Sequence, residues 1–232
     1  MNYSEYVVQF FLCDVISEFV GEQLMRKFAR PVIVLSHEGD ESSAISASVV
    51  EIKNGNNTVQ VSNLESALHM LPAGSEVDVV AKGTVGNALV HNISRAIRES
   101  EIFVYLDLSG VTELSKVFDS PFRDNFNLIG LNFPCNLASI SYMALAGCKN
   151  LKHVSIPAAV QQIGEQAFSG CEKLVRLEFA DPEGWHIEKD GGELESITNL
   201  TNAEDNPYRF TLPSSPYRKC SLQKNQRAKP SM

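Results

Sequence analysis

The sequence lacks long apolar runs, and it lacks the short motifs that mark most catalytic and cofactor sites. A membrane-spanning helix needs about 20 consecutive apolar residues, and no stretch reaches that length. The patterns of zinc proteases, phosphate-binding loops, EF-hands and nucleophile elbows are also absent. We therefore predict a non-enzymatic protein with no membrane span, no catalytic residues, no metal site and no cofactor.

Cysteine is too irregularly spaced to form a disulfide framework or a zinc site. The chain has five cysteines, an odd number, and no C-x-x-C pair. Cys148 and Cys171 hold equivalent positions in a repeat described below, and stacked repeats would place their Cα atoms about 5 Å apart. That distance is within reach of a disulfide. We favour two free, buried cysteines, because a free thiol is usually a small core side chain.

Acidic residues outnumber basic residues over most of the chain. The formal net charge is -8, which argues against a general nucleic-acid binder. Residues 217–232 are the exception, since they hold five basic side chains and no acidic one. We predict that this segment is a disordered basic tail behind an acidic body.

The first 30 residues lack the features of an export signal. A secretory signal begins with basic residues and continues as an uninterrupted apolar run. Here the first charged residue is Glu5, and Asp14 and Glu18 interrupt apolar residues that are spaced mostly four or five apart. This spacing favours an amphipathic helix of a soluble protein. An atypical export or membrane-surface segment is the alternative.

What the sequence does contain is a 23-residue repeat. Four anchor residues recur twice, the second time incompletely: Leu128, Leu131, Phe133 and Pro134; Leu151, Val154, Ile156 and Pro157; Leu174, Leu177 and Phe179. The alternation within L-x-x-L-x-F predicts a strand with one buried face, which the proline ends. Apolar residues at spacings of three and four then predict a helical or 3₁₀ return segment. Stacked units would bury edges that one unit leaves exposed, and the period suits leucine-rich repeats.

The unit at residues 156–174 resembles the repeat of BspA-like bacterial leucine-rich repeat proteins. Its sequence, IPAAVQQIGEQAFSGCEKL, agrees with I-P-x-x-V-x-x-I-G-x-x-A-F-x-x-C-x-x-L at every defined position. The preceding unit departs from the pattern, with Ser141 in place of glycine and Leu145 in place of phenylalanine. Residues 71–83 and 104–110 are similar to segments that precede the repeats in spirochaete members. The resemblance implies surface-associated adhesion or binding to host proteins.

The predicted fold class is α/β: a short leucine-rich repeat solenoid, with parallel strands on one face and a small α/β N-terminal cap. We divide the chain into an N-terminal helix and hairpin segment of unknown role (1–57), the cap (58–101), the repeats (102–180), a C-terminal cap (181–216) and the basic tail (217–232). In the first coil we expect Leu114, Val117, Phe122 and Phe126 to point inward. Trp185 is expected to cover the last coil.

The residues between the apolar anchors of each strand should point outward and align between units. Two predicted rows are Tyr105, Gly130, His153 and Arg176, and Asp107, Asn132, Ser155 and Glu178. A third, at the edge, is Val104, Ile129, Lys152 and Val175. From these we predict the binding residues Tyr105, Asp107, Asn132, Lys152, His153, Ser155, Arg176 and Glu178. The alternative is that they only form a soluble outer face.

The predicted function is protein–protein recognition through the strand face, with adhesion to host proteins implied by the resemblance. An intracellular scaffold or regulatory protein is the alternative, because the sequence shows no clear export signal. A small hydrolase or metal enzyme within residues 1–100 is a third class. The compartment stays open between the cell surface, or secretion, and the cytoplasm. A protein partner is expected in either case, without nucleic acid.

Overall fold

The structure is a computed structural model that describes residues 30–37, 48–54, 57–61, 63–84, 86–112, 114, 116–117, 121–188, 194–197, 200–211 and 221–224. The amphipathic helix predicted near the N-terminus lies outside these residues.

The described part of the chain folds into short strands with few helices. The strands are β1 (Val32–His37), β2 (Ser48–Asn54), β3 (Asn57–Val61), β4 (Glu76–Gly83), β5 (Phe103–Val111), β6 (Lys116–Val117), β7 (Leu128–Asn132), β8 (Ser139–Ile140), β9 (His153–Ile156), β10 (Gln162–Ile163), β11 (Arg176–Phe179), β12 (Trp185–Glu188), β13 (Leu194–Ser196) and β14 (Ser221–Lys224). The helices are α1 (Leu64–His69), α2 (Asn87–Glu99) and α3 (Asn206–Thr211).

The larger sheet has the strand order β11-β9-β7-β5-β4-β1-β2-β3. Neighbouring strands from β11 to β1 are parallel, whereas β2 and β3 form an antiparallel hairpin beside β1. Leu131 pairs with Val154, and Val154 pairs with Leu177. The prediction that equivalent residues of successive 23-residue units lie side by side is therefore confirmed.

A second sheet forms on the return side of the units, in the order β13-β12-β14-β10-β8-β6. Strands β6, β8 and β10 are parallel, and Val117, Ile140 and Ile163 form one row at 23-residue spacing. The return segments were predicted as helical or 3₁₀. The structure instead combines a two-residue strand with turns, so the three- and four-residue spacings reflect side chains of a turning backbone.

Within the repeats, the hydrophobic core consists of equivalent residues from successive units. Leu145 and Phe168 form one buried pair, and Leu137 and Val160 form another. Leu114 and Phe122 of the first coil are buried as predicted. The prediction for Phe126 is wrong: its side chain is 48% exposed. Asn125, next to it, is fully buried. The turn before β7 thus directs the smaller amide inward and the larger ring toward solvent.

The return turns place backbone against backbone. Gly147 and Gly170, one repeat apart, both have a φ of +76°, a conformation that glycine adopts without steric cost. A Cβ on Gly164 would overlap the backbone of Ser141 and Tyr142 in the preceding unit. The glycine of the I-G dipeptide therefore permits the close stacking of one return segment on the next.

Helix α2 lies against the first coil of the repeat. Helix α1, which Asn63 caps, packs against α2. Ile93 and Ile97 of α2 are buried in the core that they share with the larger sheet. The Asn125 amide donates hydrogen bonds to the backbone and hydroxyl oxygens of Ser94 in α2, at 3.0 and 3.3 Å. Asn125 holds the position that Cys148 occupies one unit later, so the first coil uses an amide where the next coil uses a thiol.

The other end of the repeats is covered by the residues that follow β11. Trp185 is buried and packs edge-on against Phe179, with ring centroids 5.5 Å apart. Its indole N–H donates to the Asp181 carbonyl at 2.9 Å. The Asn206 amide donates to the Leu177 carbonyl at 2.8 Å, on the outer edge of β11. These contacts cover both the core and the free edge of the last parallel strand.

Two predicted boundaries differ from the observed elements. The division between residues 57 and 58 falls inside the β2–β3 hairpin, where Asn54 pairs with Asn57. Residues 217–232 were predicted as a disordered tail, yet Ser221–Lys224 within this segment form β14. The composition of the segment did not reveal this strand, because its hydrogen-bond partners are distant in sequence.

Candidate functional site

The outer surface of β5, β7, β9 and β11 carries two rows of side chains, and we call this surface the strand face. Register places Tyr105, Gly130, His153 and Arg176 in the first row. It places Asp107, Asn132, Ser155 and Glu178 in the second. The predicted alignment of these eight residues is confirmed, because the parallel strands pair residues that are 23 positions apart from β7 to β11, and β5 joins them at Tyr105 and Asp107.

The centre of the first row is built around a residue without a side chain. A Cβ on Gly130 would overlap the ring of Tyr105, so that ring occupies the space above β7. The ring lies 6.5 Å from the imidazole of His153, with an angle of 20° between the ring planes. Gly130 thereby brings aromatic groups from β5 and β9 into proximity across an intervening strand.

Arg30, two residues before β1, extends the site to the neighbouring strands. Its guanidinium carbon lies 4.2 Å from the centroid of the Tyr105 ring, which is a cation–π geometry. The same guanidinium lies 3.7 Å from a carboxylate oxygen of Glu76 and 3.6 Å from one of Asp78. Arg30 is held by two carboxylates while it covers one side of the aromatic ring.

Sequence reasoning did not include Arg30, Glu76 or Asp78 in the site. The alternation of polar and buried residues in β4 indicates that the two acidic side chains share one face. However, β4 belongs to no repeat, and only the observed order of strands places it beside β5. The sequence pattern of β4 thus indicated that Glu76 and Asp78 share one face, but no pattern indicated which residues lie beside them.

Lys152 connects the repeat strands to β4. Its ammonium lies 3.2 Å from a carboxylate oxygen of Glu76. Lys152 directly precedes β9, and β7 and β5 lie between β9 and β4 in the sheet. Three strand spacings amount to roughly 14 Å, so both side chains must extend over the intervening strands. Ile129, the residue beside Lys152, is only 2% exposed.

The predicted edge row is wrong for two of its four members. Val104 is fully buried and pairs with Leu128 rather than Ile129, because the β5–β7 register shifts between Val104 and Tyr105. Ile129 is the extra residue in β7 and is buried as well. Lys152 is partly exposed and Val175 is 57% exposed. This edge therefore contributes only Lys152 and Val175 to the accessible surface.

Burial and nearby charges shift the pKa values of His153 and Asp78. Partial burial lowers the pKa of its imidazole, and the positive charges of Arg176, Lys152 and Arg30 lower it further. Burial raises the pKa of the Asp78 carboxyl, an effect that Arg30 opposes and Glu76 reinforces. Both effects favour the neutral form of the His153 imidazole over its charged form.

The second row is more polar and carries its own local contacts. The Asp107 carboxylate accepts a hydrogen bond of 2.9 Å from the backbone N–H of Ser109. Arg176 donates to the Glu178 carboxylate at 3.1 Å, which links the first row to the second within β11. Asn132 is exposed and Ser155 is partly buried. The two rows together present aromatic, cationic, anionic and amide groups on one strand platform.

A scan against protein families matches the BspA type leucine-rich repeat region to residues 106–224, in six copies. This match covers just over half of the chain. The chain belongs to the BspA-type leucine-rich repeat family. Repeats of this kind suggest a protein–protein interaction module and are typically non-enzymatic. A search of curated proteins found no significant match.

The BspA-type units carry a cysteine whose contacts repeat along with the sequence. The Cys148 thiol donates to the Phe122 carbonyl at 2.9 Å, and the Cys171 thiol donates to the Leu145 carbonyl at 3.1 Å. Both cysteines are buried and free. Burial raises the pKa of Cys148 to about 12 and raises that of Cys171 well above its ordinary value. These thiols serve the packing of the BspA-type repeat rather than thiolate chemistry.

An asparagine column runs beside the cysteines of the BspA-type repeat. The Asn150 amide donates to the Phe126 carbonyl at 2.8 Å, and the Lys173 ammonium donates to the Asn150 side-chain oxygen at 2.8 Å. One unit earlier, the Asn127 amide donates to the Ile97 carbonyl of α2 at 3.0 Å. Side chains at one repeat position thus connect α2, the first coil and the next two units.

Within the described residues, no three histidine, cysteine, aspartate or glutamate side chains are placed to hold a metal ion together. Nor do those residues include a helix with the length and apolar character needed to cross a membrane.

Proposed function

We propose that this protein is an interaction module that binds a protein partner through the strand face. The observation that supports this proposal is the row of Tyr105, His153 and Arg176, which holds two rings and a guanidinium on three strands of one parallel sheet. Aromatic and arginine side chains are enriched in the energetic centres of protein interfaces. Since strand pairing already orders the backbone, binding costs little conformational entropy there.

The proposed contact residues are Tyr105, Asp107, Asn132, Lys152, His153, Ser155, Arg176 and Glu178. Arg30 and Glu76 enlarge this surface toward β4, because they contact Tyr105 and Lys152. The salt bridges across the face have exposed partners, so each stabilises the fold only weakly. Their proposed role is to orient long side chains before a partner arrives.

The proposal includes a short solenoid whose two ends are covered. The parallel pairing of both sheets at 23-residue spacing supports stacked coils. The hydrogen bonds from Asn125 and Asn127 to α2 support an N-terminal cap. The packing of Trp185 on Phe179 supports a C-terminal cap. A repeat array needs such caps because its terminal units otherwise expose the core.

Two settings are proposed for this interaction. The first is adhesion to host proteins at the bacterial surface, which the family resemblance supports. The second is an intracellular scaffold, which the free thiols of Cys135, Cys148 and Cys171 favour, because reducing compartments keep cysteines unpaired. Cell fractionation with an antibody to the protein separates the two, since surface exposure permits labelling of intact cells and a cytoplasmic location does not.

The strand face is tested by the double substitution of Arg176→Glu and His153→Ala. The purified protein is immobilised and challenged with a cell extract and, separately, with a mixture of extracellular host proteins. We expect capture of the partner to fall roughly 30-fold, as for the loss of an interface hot spot. Retained capture by a variant with an unchanged melting temperature would exclude the strand face.

A matched control carries Lys149→Glu and Tyr142→Ala. These substitutions reverse one charge and remove one ring, as the test pair does, but they lie in the turns after β8 and outside the strand face. Both side chains are exposed. The control should capture the partner as the unmodified protein does, and loss of capture in the control would move the binding site to the return side.

A further inference from the structure

Strand β14 occupies a gap in the return-side sheet. Strand β8 pairs directly with β10 at 23-residue spacing, as the repeat requires. At the same 23-residue spacing, Trp185 of β12 is the equivalent of Gln162 of β10, yet β10 and β12 are not neighbours in the sheet. Strand β14 lies between them and is antiparallel to both. The last return strand is thus separated from the preceding one by a strand from the far end of the chain.

Two side chains of β14 anchor it in this gap. Leu222 is 2% exposed and belongs to the core, opposite Ile163 on one side and Ile187 on the other. The Lys224 ammonium lies 2.5 Å from a carboxylate oxygen of Asp181 and 5.7 Å from the centroid of the Trp185 ring. The Lys224 backbone N–H donates to the Gln161 carbonyl at 2.8 Å. The gap therefore selects for an aliphatic residue followed, two positions later, by lysine.

These contacts do not depend on the covalent link between β14 and the rest of the protein. Strand pairing, the Leu222 pocket and the Asp181 ion pair all involve residues at least 33 positions away in sequence. Without β14, strands β10 and β12 would face each other with unpaired backbone groups, which strongly favours an incoming strand.

We propose that the gap between β10 and β12 is a strand-binding site that accepts residues 221–224 of a second copy of this chain, so that two copies associate by reciprocal exchange of β14. The second copy is the occupant for a direct reason. Its segment has the sequence that the gap already holds, and every contact of β14 is reproduced. Such an exchange closes into a symmetric dimer, in which each copy donates one strand and receives one.

The protein's own strand competes with the exchanged one. A short covalent connection provides an effective concentration on the order of millimolar. Exchange is therefore expected when the copies are concentrated or when the internal pairing is weakened. This condition separates the strand-exchange site from the strand face, which lies on the larger sheet and does not include β14.

A charge-reversal pair tests the exchange. One full-length variant carries Lys224→Glu, and its strand no longer fits its own gap. A second full-length variant carries Asp181→Lys, and its gap repels its own strand. In an equimolar mixture, the strand that carries Lys224→Glu can pair with the gap that carries Asp181→Lys. The unmodified strand of the Asp181→Lys variant can likewise pair with the unmodified gap of the Lys224→Glu variant. Only the exchanged heterodimer restores both ion pairs.

The readouts are molecular mass by light scattering and the fluorescence of Trp185, the only tryptophan in the chain. Each variant alone should be monomeric, with emission at longer wavelength because β14 no longer covers the indole. The mixture should contain about tenfold more dimer than either variant alone, and its emission should return to that of the unmodified protein. A mixture that stays monomeric with shifted emission overturns the proposal.

The control combines Asp181→Lys and Lys224→Glu in one chain. This restores the internal pair with reversed polarity, so it should be monomeric with unshifted emission. If the double variant dimerises as strongly as the mixture, association does not follow the strand and the proposal fails.

A second approach avoids both substitutions, in case the single variants do not fold. A recognition sequence for a specific protease is inserted between Thr211 and Ser221, and the folded protein is cut there. A dye-labelled peptide with the sequence of residues 217–228 is then added in excess. Replacement of the bound fragment by the labelled peptide supports exchange. A fragment that never exchanges, or that leaves without the peptide binding, overturns it.

Discussion

The ring of Tyr105 lies where a side chain at Gly130 would otherwise be, so that two residues on adjacent strands share one space on the outer surface. The consequence reaches beyond this pair. Because the ring extends over β7, it contacts His153 on the far side and Arg30 on the near side. One missing side chain therefore organises the centre of the strand face.

Substitution Gly130→Ala should destabilise the protein by about 1–3 kcal/mol, the usual cost of forcing an extra carbon into a packed position. In a Tyr105→Ala background the same substitution should cost close to nothing, because the ring that it displaces is gone. Urea denaturation of the four proteins in this cycle measures the coupling. Equal costs in the two backgrounds would show that the ring does not lie over Gly130.

Substitution Gly164→Ala should be more damaging than Gly130→Ala. The new Cβ would overlap the backbone of Ser141 and Tyr142, and backbone in a stacked return segment cannot rotate away as a side chain can. We expect a loss of about 3 kcal/mol or more in the free energy of unfolding.

The control for Gly164 is Glu165→Ala at the adjacent exposed position, which should change stability by less than about 0.5 kcal/mol. Thermal and urea unfolding of both variants checks the expectation. A Gly164→Ala protein as stable as the control would mean that the return segments do not stack as closely as described.

His153 should make stability depend on pH on the acid side of neutrality. Its folded-state pKa is lower than its ordinary value of 6.5, so the unfolded chain binds a proton more readily than the folded chain does. No penalty exists well above pH 6.5. As the pH falls through 6.5 toward the lower folded pKa, this residue destabilises the fold progressively.

The measurement compares the unmodified protein with His153→Gln by urea denaturation from about pH 8 to about pH 5.5. The stability curve of the variant should fall less steeply, because it lacks this proton. Asp78 acts with the opposite sign, because its raised pKa makes protonation favour the folded state over a range that extends upward from its ordinary value of 3.8. Since Asp78 is present in both proteins, the comparison between them isolates the contribution of His153. Identical slopes for the two proteins would contradict the assigned surroundings of His153.

Cys148 and Cys171 should resist alkylation in the native protein, whereas Cys135 should react. The first two are buried with raised pKa values, so thiolate is scarce and reagents have no access to it. Cys135 is exposed. Mass spectrometry of tryptic peptides after treatment with iodoacetamide, with and without denaturant, reports each site. Rapid native labelling of Cys171 would show that its coil is not closed.

Much of the fold followed from the sequence because the repeat is a local signal. The alternation around Leu131 and Val154 predicts strands, and the constant spacing between these residues predicts that the strands lie in register. Helix α2 carries the same kind of local signal, because its buried apolar residues Val90, Ile93 and Ile97 are spaced to share one helical face. The same logic predicted the rows that contain Tyr105 and His153, whereas the binding role proposed for them stays a prediction.

What the sequence by itself determined, then, is the periodic part of this protein: which anchor residues of the strands point inward, and which residues become neighbours one unit apart. Only the tertiary structure decided the contacts between segments that share no period. It placed Arg30 on Tyr105, shifted Val104 into the core and inserted Leu222 between two return strands. The physical reason is that such pairings depend on surfaces that exist only after distant strands have come together, and no local pattern records them.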